Sequence, residues 1–137
     1  MNPILKNILA VVAGVILGSI VNGSLVMLGP SIIPPPEGVD MMTPEGLAEG
    51  MRLMTPKHFI FPFLAHALGA LVGAFTAVKL AASHHLKLAL GVSAWFLIGG
   101  VMMIQLIPST PTWFATLDLI GAYLPMGWLG AKLAGKK

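Results

Sequence analysis

The chain contains no cysteine. That excludes disulfides, thiolate nucleophiles, iron–sulfur clusters and cysteine zinc sites, and leaves the redox compartment without a trace in the composition. Charge is almost as scarce. Eight basic and five acidic residues serve 137 positions, 9% of the chain, where a soluble domain carries about 25% to keep its surface wet. No glycine-rich phosphate loop, G-x-S-x-G elbow or H-E-x-x-H zinc motif occurs. The formal net charge of +3 gives no basic patch for nucleic acid, because the basic residues sit near the ends of apolar runs.

Apolar residues dominate instead. They make up 56% of the chain, the mean hydropathy is +0.88, and the length suits one domain over residues 1–137. Four apolar runs are each about 20 residues long, enough to cross roughly 30 Å of hydrocarbon at 1.5 Å per residue. They cover Ile8 to Leu28, Phe59 to about Val78, Leu88 to Ile107 and Trp113 to about Ala131. Lipid offers no hydrogen bonds, so each run must satisfy its own backbone as a helix. The expected fold is an all-α membrane protein, a bundle of four transmembrane helices. The first run is too long for a signal-peptide core and no Ala-x-Ala site follows it, so it is expected to remain as a span.

Lysine and arginine give the direction. Lys6, Lys79, Lys87, Lys132, Lys136 and Lys137 fall on one side of a four-span arrangement, and only Arg52 and Lys57 on the other. The basic side is expected to be cytoplasmic, with both termini there. The outer loop, residues 29–57, opens with the stiff, extended Pro34–Pro36 and then reads as a short helix. Thr43 is its N-cap, Pro44 its first position and Glu45 its acidic first turn. Leu47, Met51 and Met54 share one face, so the segment is expected to be an amphipathic helix on the outer interface, either a lid over the bundle or a connector.

Helix interfaces in lipid are made by small residues that let backbones approach. Gly14, Gly18 and Asn22 form such a stripe in the first span, Gly69 and Gly73 in the second, and Gly121 and Ala122 in the fourth. His66 lies three residues before Gly69, and Asp118 three before Gly121. Both are therefore expected on packed faces, roughly 8 to 12 Å below the outer interface at 1.5 Å per residue. Asn22 and Gln105 lie near the same level on the other two spans, and Tyr123 somewhat deeper. Asn22, His66, Gln105, Asp118 and Tyr123 form the candidate polar cluster. An unpaired ionised aspartate at mid-membrane costs on the order of 3 kcal/mol, which makes such a residue either bundle-fixing glue or a functional group.

No residue set points to catalysis, a metal or a cofactor. His58 and His66, eight apart on one helix, are about 12 Å apart along its axis and cannot share an ion. His84-His85 reads as a solvated turn, and the nine methionines as scattered packing residues. "HALGA" and "DLIGA" are faintly alike, too briefly to carry an internal duplication.

At "PPPEGVD", "TPKHFIFPFLAHALG" and "DLIGAYLPMGWLG" the chain resembles a group of uncharacterised small four-span bacterial inner-membrane proteins. The resemblance spans nearly the full length and implies a bacterial inner-membrane location. It brings no activity with it. The favoured functional expectation is binding or transport of a small solute or proton through the polar cluster. The alternatives are a structural or accessory subunit and, less favoured, a membrane-embedded enzyme acting on lipid with His66 as general base. The expected partners are the lipid bilayer and a second copy or a larger membrane complex, with no nucleic acid.

Overall fold

A computed structural model describes residues 1–136; Lys137, counted above on the basic side, lies outside the described residues. These residues contain helices and no strand: α1 (Pro3–Ile32), α2 (Pro44–Leu53), a 3-10 turn (Pro56–Phe59), α3 (Ile60–Leu80), α4 (His85–Leu106), α5 (Thr112–Gly121) and α6 (Leu124–Ala134). Three helical segments are long and apolar enough to cross a membrane: α1, the 3-10 turn with α3, and α4. Their outer surfaces suit lipid, since Ile16, Ile20 and Ile98 all stand more than half exposed. Monomeric soluble proteins rarely expose so many large apolar side chains.

The fourth expected span departs from the expectation. It is two half-length helices, α5 and α6, separated at Ala122–Tyr123, where the backbone leaves helical geometry (Tyr123 φ −115°, ψ −80°). Pro125 accounts for the break. It has no N–H to give the carbonyl of Gly121 one turn back, and it stands in the first turn of α6, where proline suits a helix start. α1 also differs from the expected span, extending past both of its bounds to 30 residues, about 45 Å at 1.5 Å per residue.

α3 is the central helix, packed against α1, α4 and α6. Its composition explains why: Ala65, Ala67, Gly69, Ala70, Gly73, Ala74 and Ala77 are all buried. Small side chains on several faces let three helices close on it at once. The tightest approach is to α1, and it is reciprocal. A Cβ placed on Gly73 would stand 2.9 Å from the Gly14 carbonyl oxygen, and one on Gly69 3.0 Å from that of Gly18. Backbones this close gain dispersion and Cα–H···O contacts that a larger residue would prevent. On another side of α3, Gly130 of α6 sits against the Leu71 carbonyl, while Gly127 meets Ser93 of α4.

One end of the molecule is tied by polar contacts. The Asn7 side chain accepts from the Ala82 and Ser83 amides (2.8 and 3.3 Å) and donates to Ser83 Oγ (3.1 Å), clipping α1 to the turn before α4. Lys136 Nζ donates to the Lys79 carbonyl at 2.7 Å. Lys79 lies over the Phe75 ring and Lys132 over Trp128, at 5.5 and 4.8 Å. The basic residues thus gather at this end, with Arg52 and Lys57 at the other.

The glycine contact makes a direct test. Gly14→Val should destabilise the protein by about 1–3 kcal/mol, because the new atoms overlap the α3 backbone. Gly91→Ala in α4, where a Cβ meets nothing within 4 Å, should change stability by no more than about 0.5 kcal/mol. Thermal unfolding in mild detergent, followed by circular dichroism, compares the two. Equal midpoints would remove the α1–α3 approach from this account.

Candidate functional site

The site begins with the carboxylate of Asp118, 2% exposed on α5. Two side chains complete its bonding. His66 of α3 places Nδ1 2.8 Å from Oδ1 and 2.9 Å from Oδ2, and the Tyr123 hydroxyl donates to Oδ2 at 3.0 Å. The Tyr123 ring is stacked on the imidazole, with centroids 5.7 Å apart and planes 25° from parallel.

The helix break makes this cluster. Five residues apart on a continuous helix, Asp118 and Tyr123 would diverge by about 140° at 3.6 residues per turn. With the chain leaving helical geometry at Tyr123, the phenol swings under Asp118 and against Gly100 of α4, where any side chain would collide with it. Gly100, like Gly69 and Gly73, is a residue whose missing side chain is occupied by a neighbour.

Below the cluster the protein is close-packed. Ala70, Ala74, Ala77, Val78 and Val92 are fully buried. The only polar side chain buried at this depth among the described residues is Ser93, whose hydroxyl is bonded to the Ala89 carbonyl at 3.1 Å. Above the cluster lies the opposite: a cavity of about 540 Å³ reaching from Asp118 and His66 to the end that carries α2. Ligand sites typically fall within about 300–1,000 Å³. Val26 and Gly29 of α1, Phe61 of α3, Met103 and Ile104 of α4 and Phe114 of α5 form its walls. The Phe59 ring, also in the lining, packs on Phe114 (4.6 Å) and Trp113 (5.3 Å).

α2 lies over this cavity. Leu47, Met51 and Met54, the face read from the sequence, all line it. The helix is largely self-supported: Thr43 caps it through the Gly46 amide (3.0 Å), Asp40 Oδ1 accepts from the Met42 amide (3.0 Å), and Gly50 closes on Met41. It stands apart from the packed helix pairs and meets the cavity through side chains.

His58 also lines the cavity. Its Nδ1 accepts from the Thr55 backbone N–H at 3.0 Å, so its ring hydrogen is on Nε2. His66 Nε2 has no partner among the described residues and is not buried, since the one buried polar side-chain atom left unpaired there is Ser109 Oγ. That nitrogen is the polar point at the cavity floor.

Two members of the expected cluster stand apart from it. Asn22 packs beside Gly69, in the space a side chain there would fill, and is not bonded to His66 or Asp118. Gln105 is exposed. It lies five residues past Gly100, about 140° around α4 at 3.6 residues per turn, so it turns outward while Ile104 turns in. Conversely, five of the nine methionines read as scattered (Met41, Met42, Met51, Met54 and Met103) converge on the cavity wall. Their helical spacing marked two of them; the others needed the fold. No group of three or more His, Cys, Asp or Glu residues able to hold a metal occurs among the described residues. No family model, curated protein or solved structure matches the chain.

If Asp118 centres the cluster, its loss should cost more than the loss of either neighbour's bond. Tyr123→Phe keeps the ring and should cost about 0.5–1.5 kcal/mol, whereas Asp118→Leu strands both the Tyr123 hydroxyl and His66 Nδ1 and should cost about 1–3 kcal/mol for each one buried. Unfolding midpoints in a denaturing-detergent titration measure both. A larger loss for Tyr123→Phe would make the phenol, not the carboxylate, the centre.

Proposed function

We propose that this is a multi-pass membrane protein that binds a small molecule in the cavity above His66, and that it holds its ligand without conducting it across. In this reading the chain crosses the bilayer four times. α5 and α6 together make the fourth crossing, about 34 Å if laid end to end at 1.5 Å per residue. The end gathering Lys6, Lys79, Lys87, Lys132 and Lys136 faces the cytoplasm of a bacterial cell, and the cavity faces outward. The resemblance to small bacterial inner-membrane proteins supports that placement.

The observation carrying the proposal is an imidazole fixed through Nδ1 by a buried carboxylate, with Nε2 presented at the floor of a largely apolar cavity. A group that served only as glue would turn both nitrogens into protein. Conduction is disfavoured by the alanine- and valine-packed half below, which offers no polar step beyond the satisfied Ser93 hydroxyl. Lipid hydrolysis is disfavoured by the shortage of donors for an oxyanion. Besides the two imidazoles the wall offers the Thr110 hydroxyl, already bonded to the Ile107 carbonyl at 2.7 Å. A purely structural subunit accounts for the glycine stripes and leaves the cavity without a purpose.

Native mass spectrometry of protein extracted in mild detergent should show a small molecule of defined mass on the wild type, lost from His66→Ala. Proteoliposomes should leak protons no faster than empty vesicles. Identical adducts on both proteins would overturn binding at His66, and a proton leak abolished by Asp118→Asn would restore conduction.

A further inference from the structure

Among the described residues only four polar side chains other than methionine line the cavity, His58, His66, Thr110 and Asp118, and the bonds they have left to make narrow the ligand's chemistry. The step depends on where the ring hydrogens lie. Asp118 and His66 share one buried hydrogen-bonded unit, and among the described residues no lysine or arginine lines the cavity to offset a net charge there. A unit of zero net charge avoids the cost of placing a net charge in the membrane interior. Two such states exist. Either an imidazolium faces a carboxylate, or a neutral imidazole accepts the proton of a carboxylic acid at Nδ1. In both, His66 Nε2 carries a hydrogen. His58 reaches the same result independently, because its Nδ1 is occupied as an acceptor by the Thr55 N–H.

In those states both imidazoles carry a hydrogen on Nε2, and both residues line the cavity, His66 at its floor and His58 in its wall. Side-chain acceptors are few: the Asp118 oxygens are already bonded to His66 and Tyr123, and the Thr110 hydroxyl, whose hydrogen goes to the Ile107 carbonyl, is the other. The remaining wall is aliphatic, aromatic and methionine, with the five methionines forming a deformable surface that accepts more than one apolar shape.

Resting on the reading of this cavity as a ligand site, we propose that its occupant is a neutral, mainly apolar molecule carrying a carbonyl oxygen, which accepts a hydrogen bond from His66 Nε2 while its apolar body lies under α2. A carboxylate would add the net charge that the site has no cation to balance. A plain hydrocarbon would leave the N–H groups unsatisfied. A membrane quinone and a lipid ester share the required chemistry.

The methionines supply the probe. Protein labelled with methyl-13C methionine is reconstituted in nanodiscs of a dialkyl ether lipid, which has no ester carbonyl, and titrated with 2-tridecanone or tridecane. The ketone should shift the Met51, Met54 and Met103 methyl signals saturably, leave Met1 and Met126 unmoved, and bind about ten-fold more tightly than the hydrocarbon. His66→Phe should bring the ketone down to the hydrocarbon's affinity. Where that variant does not fold, the wild-type difference between the two probes decides alone. Equal binding of ketone and hydrocarbon overturns the carbonyl inference and leaves the ligand site standing. Tighter binding of dodecanoate than of the ketone likewise overturns it, in favour of an anion. No shift with any probe overturns the ligand site itself. Methyl laurate and a decyl-substituted benzoquinone then separate the two sources, since the tighter of them identifies the class.

Discussion

The half of this protein around the cavity is organised by one carboxylate buried at the cavity floor. Asp118 is tolerable inside an apolar helix packing only if both oxygens are bonded, and meeting that condition recruits three helices. α3 must bring His66 to the same depth, α5 must turn Asp118 inward, and the chain must break after Gly121 so that Tyr123 can return beneath it. Gly100 of α4 is then obliged to lack a side chain, because the phenol fills its place. A single electrostatic requirement thus dictates a helix break and the identity of a glycine on another helix.

The apolar framework meets that requirement by being thin in the middle. α3 has so many alanines and glycines that α1, α4 and α6 approach its backbone, which closes the half below Asp118. In the half that carries α2 the lining residues are large, Phe59, Phe61, Phe114 and the methionines, and the cavity lies among them. The cavity comes from this change of side-chain size along the helix axes. A uniform alanine stripe would have closed the whole bundle, and a uniform phenylalanine stripe would have loosened it.

What could be read before the structure divides along physical lines. Long apolar runs, the Thr43-capped α2 and the Gly14/Gly18 stripe are local patterns with periods of one helix, and they appear where the residues place them. The pairing of His66 with Asp118 was legible because two independent measures, depth and distance from a small residue, agreed for both. Gln105 had depth without a stripe, and it faces outward. Asn22 had both and still found a space beside Gly69 that the sequence does not reveal. The α5–α6 break was written in Pro125 but masked by the apolar run around it. The cavity was not legible at all, because it depends on five segments far apart in sequence meeting at one level, and the methionines acquire a common role only there.

The position of α2 over the cavity bears on timing as well as on shape. Its cap, its Asp40 turn and its Gly50 contact all lie within residues 39–54, and the stretches on either side, Pro34–Pro36 and Thr55–Pro56, are stiff. It has no close backbone packing on another helix and meets the rest of the fold through side chains at the cavity. If the cavity holds a ligand as proposed, exchange is governed by how often this segment detaches, separately from how well the floor grips. Affinity and residence time would then be set by different residues, the first at His66 and the second on the methionine face of α2, twelve or more positions earlier in the chain.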